Sequence, residues 1–133
     1  MPEKNERLRK LFHPRSVAFI GASNKPGKWG SIILANLING GFSGTIYPVN
    51  PYESRIKGLE AYQRIADVPD VPDLAVIVVP PKAVPSVIGE CAARGIRVGI
   101  VITAGFAEVG TVGERLQREM VEQARAGGML LVG

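Results

Sequence analysis

The chain has 133 residues, 46% of them hydrophobic and 21% charged, with a net charge of +4, which fits one domain built on one core. No apolar run approaches the ~20 residues of a membrane-spanning helix, so no membrane partner is expected, and the charged N-terminus MPEKNERLRKLF reads as cytoplasmic rather than as a signal peptide. A single cysteine, Cys91, excludes an internal disulfide and a multi-cysteine metal site, and with aromatics at 6% and no basic stripe interleaved with them nucleic acid is not an expected partner; the positive balance suits a small polyanion.

Residues 5–12 read as a short amphipathic helix with Leu8, Leu11 and Phe12 on one side, ended by His13-Pro14. The cations Lys4, Arg7, Arg9, Lys10 and Arg15 read as a solvated terminal cluster. His13 precedes the first strand, whereas ligands of open parallel sheets lie beyond the carboxyl ends of strands; it is read as structural, and no catalytic residue is assigned. Val17, Ala18, Phe19 and Ile20 form a buried strand that Gly21 ends. Residues 22–28 are a loop, and a helical pattern runs from about Lys28 through Ile32, Ile33, Ala35 and Leu37 to stop signals at Gly40 and Gly41. A strand turning through glycine into a helix offers backbone N–H groups and the positive end of the helix dipole to an anion. A Cβ at Gly21 would hold a phosphate away from that backbone.

Residues 45–49 are a second strand, followed by Asn50-Pro51 and a polar loop over 52–58. Residues 59–62 read as a short third strand, 63–67 as a helical turn and VPDVPD as a connection. LAVIVV, residues 74–79, is a central strand stopped by Pro80-Pro81. A helix over 82–94 tolerates Pro85 in its first turn, buries Cys91 and ends at Gly95. Residues 96–102 are the next strand, leading into Thr103-Ala104-Gly105-Phe106. Thr111 and Glu114 fit a capping box for a helix to about Ala126 with Leu116, Met120 and Ala124 on one face, and 129–132 form the last strand. The alternation predicts an α/β, Rossmann-like doubly wound parallel sheet with helices on both faces and strand order 3-2-1-4-5-6. Its switch point falls between the strands ending at Ile20 and Val79, where the loops 21–28, 79–81 and 103–106 meet.

Two phosphate-loop fingerprints fit poorly. For a P-loop, Gly21 and Gly27-Lys28 are one residue too far apart, and Trp29 replaces the magnesium-binding hydroxyl. For a dinucleotide loop, the second and third glycines come late as Gly27 and Gly30, and the second strand ends in Asn50 instead of an acidic residue. An NAD-binding redox sensor remains an alternative.

The segments LFHPRSVAFIGASNKPGKWG, IYPVNP, PDLAVIVVPP and VITAGFAE, in this order and over nearly the whole chain, resemble the CoA-binding domain of NDP-forming acyl-CoA synthetases, the acetate–CoA ligase (ADP-forming) group. Succinyl-CoA synthetase alpha subunits are more distant relatives. The resemblance implies that coenzyme A is the ligand, that Gly21, Ala22, Ser23 and Lys28 surround its phosphates, and that Val79, Pro80, Pro81, Thr103, Ala104 and Gly105 line the path of the pantetheine arm. Asn50 and Pro51 would flank the adenosine end. Tyr52 stands where the family often has a lysine able to meet the ribose 3′-phosphate, so Arg55 or Lys57 is expected to substitute. The resemblance further implies that the phosphate-carrying histidine and the ATP-grasp domain belong to remaining synthetase domains or a subunit. Residues 1–133 are thus expected to be a single CoA-binding domain excised from the N-terminus of a longer chain, inactive alone, with CoA or acyl-CoA as small-molecule partner. The CoA domain of a protein acetyltransferase and a stand-alone CoA-binding protein are the alternatives of the same resemblance.

Overall fold

Strand residues here bury on alternate sides of one sheet, so each strand needs cover on both faces. The computed structural model describes residues 2–102 and 110–132. Along the chain it has α1 (Pro2–Phe12), β1 (Ser16–Ile20), α2 (Trp29–Asn39), β2 (Thr45–Val49), β3 (Arg55–Ile56), β4 (Leu59–Glu60), β5 (Leu74–Ile77), α3 (Val84–Arg94), β6 (Val98–Val101), α4 (Gly110–Ala126) and β7 (Leu130–Val132). Five strands form one parallel sheet in the order β2-β1-β5-β6-β7. On one face Ala18, Ile20, Ala75, Ile77 and Val101 pack with Val84, Ile88 and Cys91 of α3 and Ala124 of α4. On the other, Val17, Phe19, Leu74, Val76 and Val98 pack with Leu34 of α2, joined by Leu11 of α1. The expected doubly wound class is therefore the observed one, and β1 and β5 sit side by side at the switch point.

The expected order 3-2-1-4-5-6 needs a correction, because the third strand is not part of the sheet. Residues 59–60 instead pair antiparallel with 55–56 in a separate hairpin. Of the outer ladder only one parallel bridge remains, Val49 with Tyr62. It is made by Tyr62 N–H donating to the Pro48 carbonyl and Asn50 N–H donating to the Tyr62 carbonyl, both at 2.9 Å. The next bond toward the strand's start would have to come from the N–H of residue 48, and proline has none. Pro48 thus ends the sheet at its own edge.

The remaining elements follow their local chemistry. Pro85 lies in the first turn of α3, and Gly95 closes that helix in the left-handed region at φ 96°. In α4, Leu116 and Ala124 are buried and Met120 packs against the same core, as the spacing predicts. That helix begins at Gly110, one residue before the expected cap; the Thr111 side chain lies outside the described residues. At the amino edge the Arg9 cation is not simply solvated. Asp73 accepts from Arg9 Nη1 at 3.3 Å and from Arg15 N–H at 2.9 Å, fastening α1 to the start of β1. His13, exposed beside it, is on the edge opposite the ends of β1 and β5. Among the described residues no helix is long and apolar enough to cross a membrane.

Cys91 is fully buried, and desolvation, helped by nearby Glu90, pushes its thiol up to about 12. The folded protein then holds this proton where an unfolded thiol, with a pKa near ~8.5, loses it. Two outcomes are expected: native protein at pH 8 resists thiol reagents until denatured, and stability falls from about pH 8.5 upward, with Cys91→Ala showing a shallower decline. Denaturant titrations at several pH values measure both.

Candidate functional site

The chain leaves β1 toward β2 and leaves β5 toward β6, in opposite directions, which opens a crevice at their carboxyl ends. Gly21 closes β1 at φ +95°, in the left-handed region. A Cβ there would overlap the carbonyl oxygen of Val78, and a Cβ on Gly30 would overlap the carbonyl oxygen of Gly21. Strand, neighbouring strand and helix therefore meet backbone to backbone, and both glycines are required for that packing before any ligand is considered. The sequence reading ties the missing Cβ of Gly21 to an approaching phosphate; the packing of β5 and α2 against the turn requires it as well.

The loop after Gly21 is held by side-chain amides. Asn24 donates from Nδ2 to the Arg55 carbonyl at 2.8 Å and accepts at Oδ1 from Lys57 N–H at 2.9 Å. Asn50 donates from Nδ2 to the Ala22 carbonyl at 2.9 Å and accepts at Oδ1 from the N–H groups of Tyr52 at 2.7 Å and Glu53 at 3.1 Å. The hairpin that Asn24 grips turns at Lys57 and Gly58, both with positive φ, 50° and 83°, as a type I′ turn requires. Ser23 Oγ accepts from Lys25 N–H at 3.0 Å, tightening the loop on itself.

The start of α2 is open. Its N-cap position is Lys28, which makes no side-chain cap, and no acidic residue lies in the first turn. The first bonds back to the Lys28 carbonyl come from Ser31 and Ile32, both at 3.0 Å, and among the described residues the N–H groups of Trp29 and Gly30 have no acceptor. Two amides and a helix dipole thus face the crevice beside the Lys28 ammonium.

A cleft of about 560 Å³ occupies this crevice, lined by Gly21, Ser23, Lys28, Trp29, Gly30, Ile33, Val78, Val79, Pro80 and Ile102. Its lining joins the glycine turn and the helix start, Trp29 included, to the aliphatic side chains of Ile33, Val78, Val79, Pro80 and Ile102. Of the residues expected at the site, Gly21, Ser23, Lys28, Val79 and Pro80 line this cleft. Ala22 is buried with the α2-side core, and its carbonyl is held by Asn50. Asn50, Pro51 and Pro81 do not line it. Thr103, Ala104 and Gly105 lie outside the described residues. Tyr52 is 91% exposed. Arg55 turns one guanidinium N–H to the Gly58 carbonyl at 3.0 Å, and Lys57 sits at the hairpin tip gripped by Asn24. Sequence reasoning passed over Trp29 and Ile33 as wall residues. Their i, i+4 spacing at the start of a helix that follows a glycine turn was the available signal.

An open parallel α/β domain whose switch-point cleft joins an uncapped helix start to an apolar wall has the architecture of the nucleotide-binding doubly wound folds. Within that class, residues 15–133 match the family described as CoA binding domain, and the chain belongs to this family. It is 47% identical over 130 residues to the alpha subunit of acetate–CoA ligase (ADP-forming) I from Pyrococcus furiosus, covering 95% of this chain and 28% of that one. It is 46% identical over 126 residues to acetate–CoA ligase (ADP-forming) II from Archaeoglobus fulgidus, covering 95% of this chain and 19% of that one. The chain thus spans less than a third of these relatives. A dinucleotide-forming acetyl-coenzyme A synthetase 1 from Ca. Korarchaeum cryptofilum, solved with phosphate and ADP, superposes with a TM-score of 0.90 at 44% identity over 96% of this chain and 27% of that one.

Replacing Gly21 by valine is expected to cost about 3 kcal/mol or more of stability, since a side chain must displace the Val78 backbone at a strained φ. Thermal unfolding without any ligand measures it; a Gly21→Val protein as stable as the parent would contradict the packing role.

Proposed function

We propose that this chain binds coenzyme A in the switch-point cleft, as the CoA-binding domain of an ADP-forming acid–CoA ligase. The observation that carries the reading is the pairing, in one cavity, of an uncapped helix start with an apolar wall. CoA has the same two chemistries, a diphosphate and a long, largely uncharged arm. The diphosphate lies at Gly21, Ser23 and Lys28, where the amides of Trp29 and Gly30 donate to it. The arm runs along Val79 and Pro80. Asn50 supports the turn from behind, its carbonyl oxygen and amide already committed to backbone groups. That commitment also weighs against a dinucleotide, whose ribose needs a free acceptor at this position.

The whole enzyme converts an acid, CoA and ATP into acyl-CoA, ADP and phosphate. In that reaction the thiol of CoA attacks the carbonyl carbon of an acyl phosphate, the carbon–oxygen bond to phosphate breaks, and phosphate leaves. The domain's part is to hold the thiol in place; the residues that make the acyl phosphate belong to further domains or a partner subunit. Residues 1–133 are one domain of that longer assembly, which works in the cytoplasm.

Four outcomes test this. CoA titrated into the chain gives a saturable heat by calorimetry, while NADH gives none; the reverse would overturn the reading. Lys28→Ala weakens CoA by about 1–2 kcal/mol, one charge-assisted contact. The Arg55 and Lys57 cations, on the hairpin that Asn24 holds against the turn, make CoA bind more tightly than 3′-dephospho-CoA, and Lys57→Ala or Arg55→Ala narrows that gap. The chain alone makes no acetyl-CoA from acetate, CoA and ATP.

A further inference from the structure

Trp29, the only tryptophan of the chain, is 70% exposed although it lines the cleft. It occupies the first position of α2, directly after Lys28. Side chains on a helix lean toward its N-terminus, which carries the indole over the cleft mouth. One turn on, Ile33 continues the same wall, and Val78, Val79, Pro80 and Ile102 face them from the ends of β5 and β6. The indole is thus an apolar surface left uncovered where the rest of the wall is already shaped, and it adjoins the amides assigned to the diphosphate. A tryptophan at the first helical position contributes nothing to capping, and an exposed one adds little to the core. Indole is suited to this place because one end is apolar and its N–H remains able to meet an amide carbonyl.

We propose that Trp29 is a ligand-contacting residue that closes over the pantetheine arm of bound CoA, packing its ring on the arm against Ile33, Val79 and Ile102. This rests on the CoA reading above and adds to it a named residue that sets how tightly the arm is held. The adenosine end lies on the other side of the turn, toward Asn50 and the hairpin, and does not reach Trp29. The contact therefore separates the two halves of the ligand.

Because Trp29 is the only tryptophan, its emission reads the contact directly. The full 133-residue chain is titrated with CoA and, separately, with adenosine 3′,5′-bisphosphate, which carries the head without the arm; calorimetry follows both. CoA is expected to shift the emission clearly to the blue, and the bisphosphate, whose 5′-phosphate meets the Trp29 backbone but leaves the ring uncovered, to bind with a much smaller shift. Trp29→Ala is expected to weaken CoA about tenfold, the scale of one aromatic packing contact, and to leave the bisphosphate unchanged. Trp29→Leu, which keeps an apolar cover, recovers part of the loss. Alanine is a good helix former at this exposed position, so both variants keep the parent's unfolding temperature. An emission shift equal for CoA and the bisphosphate overturns the arm assignment, as does CoA binding with no shift and an unaltered affinity in Trp29→Ala. If CoA gives no heat of binding at all, the functional reading fails first and the inference falls with it.

Discussion

The contact on which this domain depends is made by backbone alone. At the carboxyl end of β1 the Gly21 carbon lies against the Val78 carbonyl, and the Gly30 carbon lies against the carbonyl of Gly21. Two strands and a helix are brought together at distances that no other residue permits. The start of α2 lines the crevice because of this approach. Everything assigned to ligand binding is downstream of it. The first and third glycines of a dinucleotide loop serve the tight turn and the close helix–strand packing, and Gly21 and Gly30 do the same here.

Around that junction the loops are positioned by neutral groups. Asn24 and Asn50 each use donor and acceptor together, and each joins segments about thirty residues apart: 24 to 55 and 57, 50 to 22. A carboxamide suits this task because it satisfies an N–H and a C=O at once without adding charge. Fixed dipoles thereby surround the region where the phosphates are assigned, and among the described residues no carboxylate opposes them in the cleft lining. The charged fasteners lie at the other edge of the sheet, where Asp73 ties Arg9 and Arg15.

What could be read in the sequence divides along the same line. The apolar runs at 17–20, 74–79 and 96–102 announced buried parallel strands because no half-exposed strand is that uniform, although the strands themselves are shorter, Leu74–Ile77 and Val98–Val101, and Gly95 and Pro85 marked the limits of α3 by rules of backbone conformation. The switch point followed from the alternation of strands and helices. The third strand was misread because propensity at 59–62 was weighed without asking which N–H groups its partner could offer. Pro48 was in plain view and forbids the ladder. At the site, Gly21, Ser23, Lys28, Val79 and Pro80 were legible as loop residues at strand ends. The roles of Asn24 and Asn50 were not, since they depend on which distant backbone groups the fold brings within 3 Å. Trp29 was hidden for another reason: an apolar residue at a helix start looks like core until its exposure is known.

The uncapped start of α2 has a thermodynamic consequence for the domain as a whole. A helix without an N-terminal acceptor forgoes roughly 1 kcal/mol that a capping side chain would supply, and α2 is the element whose Leu34 packs in the core on one sheet face. An anion seated there would serve as the missing cap. Occupancy and the integrity of the helix then become a single linked equilibrium, in which the occupied form is the more completely folded one. Order lost at the first turn of α2 would lower affinity, and affinity would in turn be spent on ordering it, so a ligand seated there would act as a removable part of the secondary structure.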